Sequence, residues 1–155
     1  PLAFGEGELN YEGFFLPPPY ALGRTHHPGE RPLIVFFEQP DCHACDILHT
    51  DPLAQPSIRE RLRQFEAVQL NLWGKQPVIT PDGRRTTEGA WAAQLGLFYA
   101  PTLMFFDRDG REILRVDSVV QIYRLRNVLD YVASGAYKEY PNFQRWRDAQ
   151  GEAGK

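Results

Sequence analysis

Cysteine is scarce in this chain, with two among 155 residues. A secreted mini-protein stapled by disulfides needs more of them, and a chain this long buries enough core to do without staples. Long apolar runs are missing too. Stretches such as Leu33 to Phe37 fall far short of the roughly 20 apolar residues that span a bilayer. Positive charge is not in surplus: 17 Lys and Arg stand against 20 Asp and Glu, for a net charge of −3 and a pI near 5.8. That balance points away from nucleic acid or an anionic membrane as the main partner. Neither an internal repeat nor a second domain is visible. No secretory leader is visible either, and the chain opens with Pro1, so the expectation is that a leader or anchor was removed upstream.

What is present is ordinary globular material, 43% hydrophobic and 13% aromatic. Residues 1–30 are rich in Gly and Pro and read as an irregular N-terminal arm, with Pro17, Pro18 and Pro19 favouring an extended course. Phe14, Phe15 and Leu16 suggest that the arm packs on the body. The domain proper is expected over 31–155. LIVFF (Leu33–Phe37) is a short continuous apolar run and suits a strand buried on both faces. A helix is expected from about Cys42 to Thr50, broken at Pro52 and resumed after Pro56, where Ile58, Leu62 and Phe65 share one face. AVQLNL (Ala67–Leu72) alternates as a second strand. WGKQPVITPDGRR reads as a connection with a turn at Asp82-Gly83. Thr86 or Thr87 caps a helix carrying Trp91 and Leu95 that Gly96 ends. TLMFF (Thr102–Phe106) and EILRV (Glu112–Val116) form an antiparallel hairpin. Ile122, Leu125, Leu129 and Val132 mark a last amphipathic helix, and the polar-aromatic tail adds one short helix. The order β-α-β-α-β-β-α implies an α/β fold, a mixed central sheet flanked by helices.

Both cysteines and two of the four histidines fall within EQPDCHACDILHT, Glu38 to Thr50. Cys42 follows the first strand directly and opens a helix, where free N–H groups and partial positive charge favour a thiolate. Cys45 lies one turn on, close enough to bond with it. C-x-x-C beside a βαβ pattern marks a redox pair. Two other readings stand beside it. Inert core cysteines would sit at apolar periodic positions, whereas Asp41 and His43 give Cys42 an exposed, polar setting. In a metal site, Cys42 and Cys45 would share an ion with His49, the fourth ligand coming from His26 or His27 if the arm folds over them.

The segments VFFEQPDCHACDILH and LGLFYAPTLMFFDRDGREILRVDS, with the insertion before the third helix, resemble the thioredoxin superfamily from about Arg31 to Ser134. The likeness is greatest to bacterial periplasmic proteins of the SoxW type. The resemblance implies a thioredoxin-like fold and thiol–disulfide exchange by Cys42 and Cys45, with no cofactor beyond the dithiol and no metal. It implies that Pro101 is a cis-proline facing the disulfide, and that Ala100, Pro101 and Thr102 dock a substrate chain. It also implies extracytoplasmic protein substrates, a membrane thiol reductase as electron donor, and a monomer, because nothing corresponds to the dimerisation region of related isomerases. The chain departs from the family at three places. Asp41 stands where Trp usually precedes the first Cys, and Phe36 stands where a buried acid is expected. Asp117 and Ser118 replace the Gly after the hairpin. His43 and Asp41 are expected to tune the redox pair in opposite senses.

Overall fold

The computed structural model describes residues 5–117 and 124–153. Its central sheet has the strand order β3-β2-β6-β7, from β2 (Leu33–Glu38), β3 (Glu66–Asn71), β6 (Thr102–Phe106) and β7 (Glu112–Val116). The helices are α1 (His43–Thr50), α2 (Pro56–Leu62), α3 (Glu88–Gln94), α4 (Leu125–Ala133) and α5 (Phe143–Ala153). β2 runs parallel to β3 and antiparallel to β6, and every one of its residues is buried. A central strand with helices on both faces has no polar side to show, which is why LIVFF does not alternate.

The pleat sends alternate residues of β2 to opposite faces. Ile34 and Phe36 join Leu48 of α1, Ile58 and Leu62 of α2, and Leu129 of α4. Val35 and Phe37 join Trp91 of α3, Met104 and Phe106. On the first face, α4 buries Leu125, Val128, Leu129 and Val132, a stripe at the spacing its sequence shows. Fully burying each such side chain is worth about 1.5–3 kcal/mol.

The register sets out the two ends of the sheet. Glu38 pairs with Asn71 and Phe37 with Thr102, so the ends of β2 and β3 and the start of β6 share one edge. Leu33, Glu66 and Phe106 meet at the opposite edge.

The connection before α3 holds more structure than its sequence suggests. β4 (Pro77–Ile79) and β5 (Arg85–Thr87) form a small hairpin, and β1 (Tyr20–Ala21) joins β4 in parallel. Strands of two or three residues are too short to show alternation. The arm is therefore less irregular than its composition implies. The Leu16 N–H donates to the Ala67 carbonyl at 2.8 Å, and Phe15 bridges Ala67 in parallel, so the arm covers the edge of β3. Thr87, not Thr86, caps α3. Ser118 and Ile122 lie outside the described residues.

Candidate active site

The site grows from the loop Gln39–Asp41 at the end of β2. Asp41 takes φ +52°, a left-handed turn that Asp tolerates better than most residues. The chain then enters α1 with Cys42 as its N-cap, extended at φ −120° and ψ 101°. The Cys45 N–H donates to Cys42 Sγ at 3.1 Å, so the sulfur takes the place of a capping oxygen. Cys42 and Cys45 are joined as a disulfide, with their Cα atoms 5.2 Å apart.

Cys42 is more enclosed than its polar neighbours suggest. It is 8% exposed, against 1% for Cys45. The difference still ranks them, with Cys42 the more accessible of the two. Asp41 and His43 on either side of it are exposed.

Across the loop, the start of β6 closes the site. The Ala100–Pro101 peptide bond is cis, and the Ala100 carbonyl oxygen lies 3.9 Å from Cys42 Sγ. Thr102 is buried, and its hydroxyl donates to the Tyr99 carbonyl at 3.0 Å. Its side chain holds the loop in shape and does not face outward. Of the sequence candidates, Cys42, Cys45, Asp41, His43, Ala100 and Pro101 converge at this edge.

His49 does not converge with them. It lies in the last turn of α1, 7% exposed, with its ring between two carboxylates. Nε2 meets Glu38 at 2.7 and 2.9 Å, and Nδ1 meets Glu12 of the arm at 2.8 Å. Both ring nitrogens therefore have partners, and His49 is not free to complete a ligand set with the sulfurs. His26 and His27 are exposed, and the segment that follows them is fixed by Gly29 to Arg108 in the β6–β7 turn, at the far end of the sheet. The arm does not carry them over the disulfide. Among the described residues no three His, Cys, Asp or Glu side chains converge as a metal site.

Sequence reasoning missed Glu38. It is fully buried, on the same face of β2 as Phe36, and accepts from His49 and from Gln69 Nε2 at 2.9 Å. Burial opposes a charged His49, but Glu38 and then Glu12 outweigh it and raise the imidazole pKa above its usual value. The available signal was the single acid closing an otherwise apolar strand. Glu88 of α3 is the second missed acid. It accepts the N–H groups of Asn71 at 2.9 Å and Gln76 at 3.2 Å, and burial raises its pKa.

A family model described as Thioredoxin-like domain matches residues 20–133. The chain belongs to the thioredoxin-like family. None of the curated proteins matches it in sequence. Among solved structures, it is similar to a thioredoxin-fold protein from Helicobacter pylori, at 14% identity and TM-score 0.69, over 83% of this chain and 84% of that one. It is similar to Fasciola hepatica thioredoxin at 16% identity and TM-score 0.51, over 73% and 98%. It is also similar to a thioredoxin from Thermus thermophilus at 18% identity and TM-score 0.50, over 76% and 92%. Likeness at such identity speaks for the fold. Together with the Cys42–Cys45 disulfide, the family makes this thioredoxin-like protein a thiol–disulfide oxidoreductase, with protein thiols as its general substrates.

Proposed function

We propose that this thioredoxin-like protein is an extracytoplasmic reductant of protein disulfides, with Cys42 as the attacking sulfur and Cys45 as the resolving one. The observation that carries the assignment is the position of Cys42 Sγ, capping α1 and more accessible than Cys45. In the reduced protein the same N–H and the helix terminus favour a thiolate there.

The Cys42 thiolate attacks one sulfur of a partner disulfide. A Cys42–partner S–S bond forms, the partner's own S–S bond breaks, and the departing thiolate takes up a proton. Cys45 then loses its proton and attacks Cys42 Sγ, which releases the second partner thiol and closes the Cys42–Cys45 disulfide. Two electrons and two protons have passed to the partner. A membrane thiol reductase, itself a dithiol, restores the pair, and no cofactor beyond the cysteines is needed. The partner chain docks along Ala100 and Pro101, where backbone pairing adds it as a strand. His43 favours the Cys42 thiolate and Asp41 opposes it. The protein acts as a monomer. The resemblance of its motif segments to periplasmic SoxW-type proteins supports the compartment and the donor.

Insulin reduction driven by dithiothreitol tests the reading, with metal analysis of the same purified protein beside it. Rapid precipitation of insulin chains that disappears in Cys42→Ser is the expected result. A stoichiometric bound ion with no turnover would replace this reading with a metal-handling one.

A further inference from the structure

A cleft of about 440 Å³ lies at the edge of the sheet opposite the disulfide, where the N-terminal arm crosses α2 and the start of β3. That volume is within the range of small-molecule sites. The topology builds it. α2 ends at Leu62, and the chain turns through Arg63 and Phe65 into β3 at Glu66. The arm is fixed across this corner. The Leu16 N–H donates to the Ala67 carbonyl at 2.8 Å, and the Phe15 N–H to the Glu12 carbonyl at 3.1 Å. Phe14, Leu62, Phe65 and Ala67 supply an apolar lining, and Leu16, 43% exposed, completes it.

Three arginines line the same cleft, Arg31, Arg59 and Arg63. Arg59 is matched by charge, since Nη2 donates to Glu12 at 2.7 Å while its guanidinium lies 5.7 Å from the Phe14 ring centroid. Arg31 Nη1 donates to the Arg63 carbonyl at 2.8 Å, which brings this guanidinium against the end of α2. Arg63 itself is exposed, and its side chain makes no hydrogen bond or ion pair among the described residues. The single acid in the lining, Glu66, is already held by Arg24 at 2.7 Å. Arg31 and Arg63 therefore carry charge that no carboxylate pairs with among the described residues. In a chain of net charge −3, two such cations on an apolar concavity make a local field of the opposite sign.

We propose that this cleft binds a medium-chain acyl carboxylate, with its alkyl chain on Phe14, Leu62 and Phe65 and its carboxylate on Arg31 and Arg63. The planar guanidinium fork matches a carboxylate, and an apolar bed favours the chain in proportion to the area it covers. Each half of the site excludes a simpler ligand. An inorganic anion would leave the apolar lining unused, and a neutral hydrocarbon would leave the arginines unused. The site stands apart from the exchange reaction, because Glu66 begins β3 at the edge opposite Cys42.

Octanoate is the probe, with butanoate and octanamide beside it, followed by calorimetry and by amide NMR spectra. Octanoate should shift the amides of Gly13, Phe14, Arg63 and Phe65 and leave those of Cys42 and Cys45 in place. Each buried methylene tightens binding by up to about fourfold, so butanoate should bind more than about tenfold more weakly. Octanamide keeps the chain without the charge and should also lose about tenfold. Arg63→Ala should weaken octanoate by about tenfold, with partial recovery in Arg63→Lys and unchanged insulin reduction in both. Equal affinity for butanoate and octanoate, equal affinity for octanamide, or full binding in Arg63→Ala would each overturn the proposal. So would octanoate shifts that fall only outside the cleft. Dimers that form as the protein is concentrated, and disappear in Arg63→Glu, would assign the cleft to a second copy of the chain and likewise overturn it. None of these outcomes touches the exchange reading, which insulin reduction tests separately.

Discussion

Arg24 and His49 are both buried polar groups that tie the N-terminal arm to the sheet, yet they sit at opposite ends and behave differently. At the far end, Arg24 is 4% exposed and donates to the Arg31 and Asp107 carbonyls at 2.7 and 3.2 Å and to Glu66 at 2.7 Å. A guanidinium keeps its charge at any pH a protein meets, so this clamp is permanent. Behind the disulfide, His49 does the equivalent task between Glu38 and Glu12, with Arg59 holding the other Glu12 oxygen at 2.7 Å. An imidazole changes charge in the physiological range. The arm is thus held by a fixed charge far from the chemistry and by a titratable one beneath it.

Breaking the permanent clamp should have the larger effect on stability. Arg24→Met takes the donor from the Arg31 carbonyl and from Glu66, while the Asp107 carbonyl keeps the Gly110 N–H, and should cost about 3 kcal/mol. Urea denaturation would show this as a lower midpoint, with the reduction potential of the disulfide unchanged. A shifted potential would mean that the two ends of the sheet are coupled.

His49→Gln should cost less, about 2 kcal/mol near neutral pH, because an amide still donates to one carboxylate. Its sharper effect is on pH dependence. The folded-state pKa of His49 is raised above that of the unfolded chain. Its stabilisation is therefore fully present below the unfolded value, near 6.5, and is lost as pH rises through the folded one. Denaturation midpoints of the native protein should decline across that window, and those of His49→Gln should decline less. Equal slopes in both proteins would contradict the titratable role. The Glu88 pKa is raised as well, so the decline it contributes begins lower, near the usual carboxylate value of 4.5, and is common to both proteins.

Most of the fold could be read in the sequence, because it is set by local signals: an apolar run for β2, a helical stripe for α4, a turn between β6 and β7. The Cys42–Cys45 pair was legible for the same reason, being three residues apart at a helix start. What escaped was non-local. Glu38 looks like the polar end of a strand until Glu12 of the arm, Gln69 of β3 and His49 of α1 are brought around it. The helix spacing of His49 to Cys45 suits a metal ligand, and spacing alone cannot reveal two carboxylates arriving from distant segments. The β4–β5 hairpin escaped because its strands are only three residues each.

The smallest expected effects come from the exposed pair beside Cys42. His43→Ala should lower the reduction potential and Asp41→Ala raise it, each by about 20 mV, or about 1 kcal/mol for a two-electron couple. Glutathione titrations would measure both. Potentials unchanged in both variants would leave the helix terminus and the Cys45 N–H as the main influences on Cys42.

In the proposed exchange, Cys42 attacks a partner disulfide and Cys45 releases it. Mass spectrometry of Cys45→Ser after incubation with a disulfide-bonded peptide tests it most directly. A stoichiometric mixed disulfide, mapped to Cys42, should form and persist until reductant is added. A Cys42 that stays fully alkylatable by iodoacetamide, with no reducible adduct formed, would contradict it.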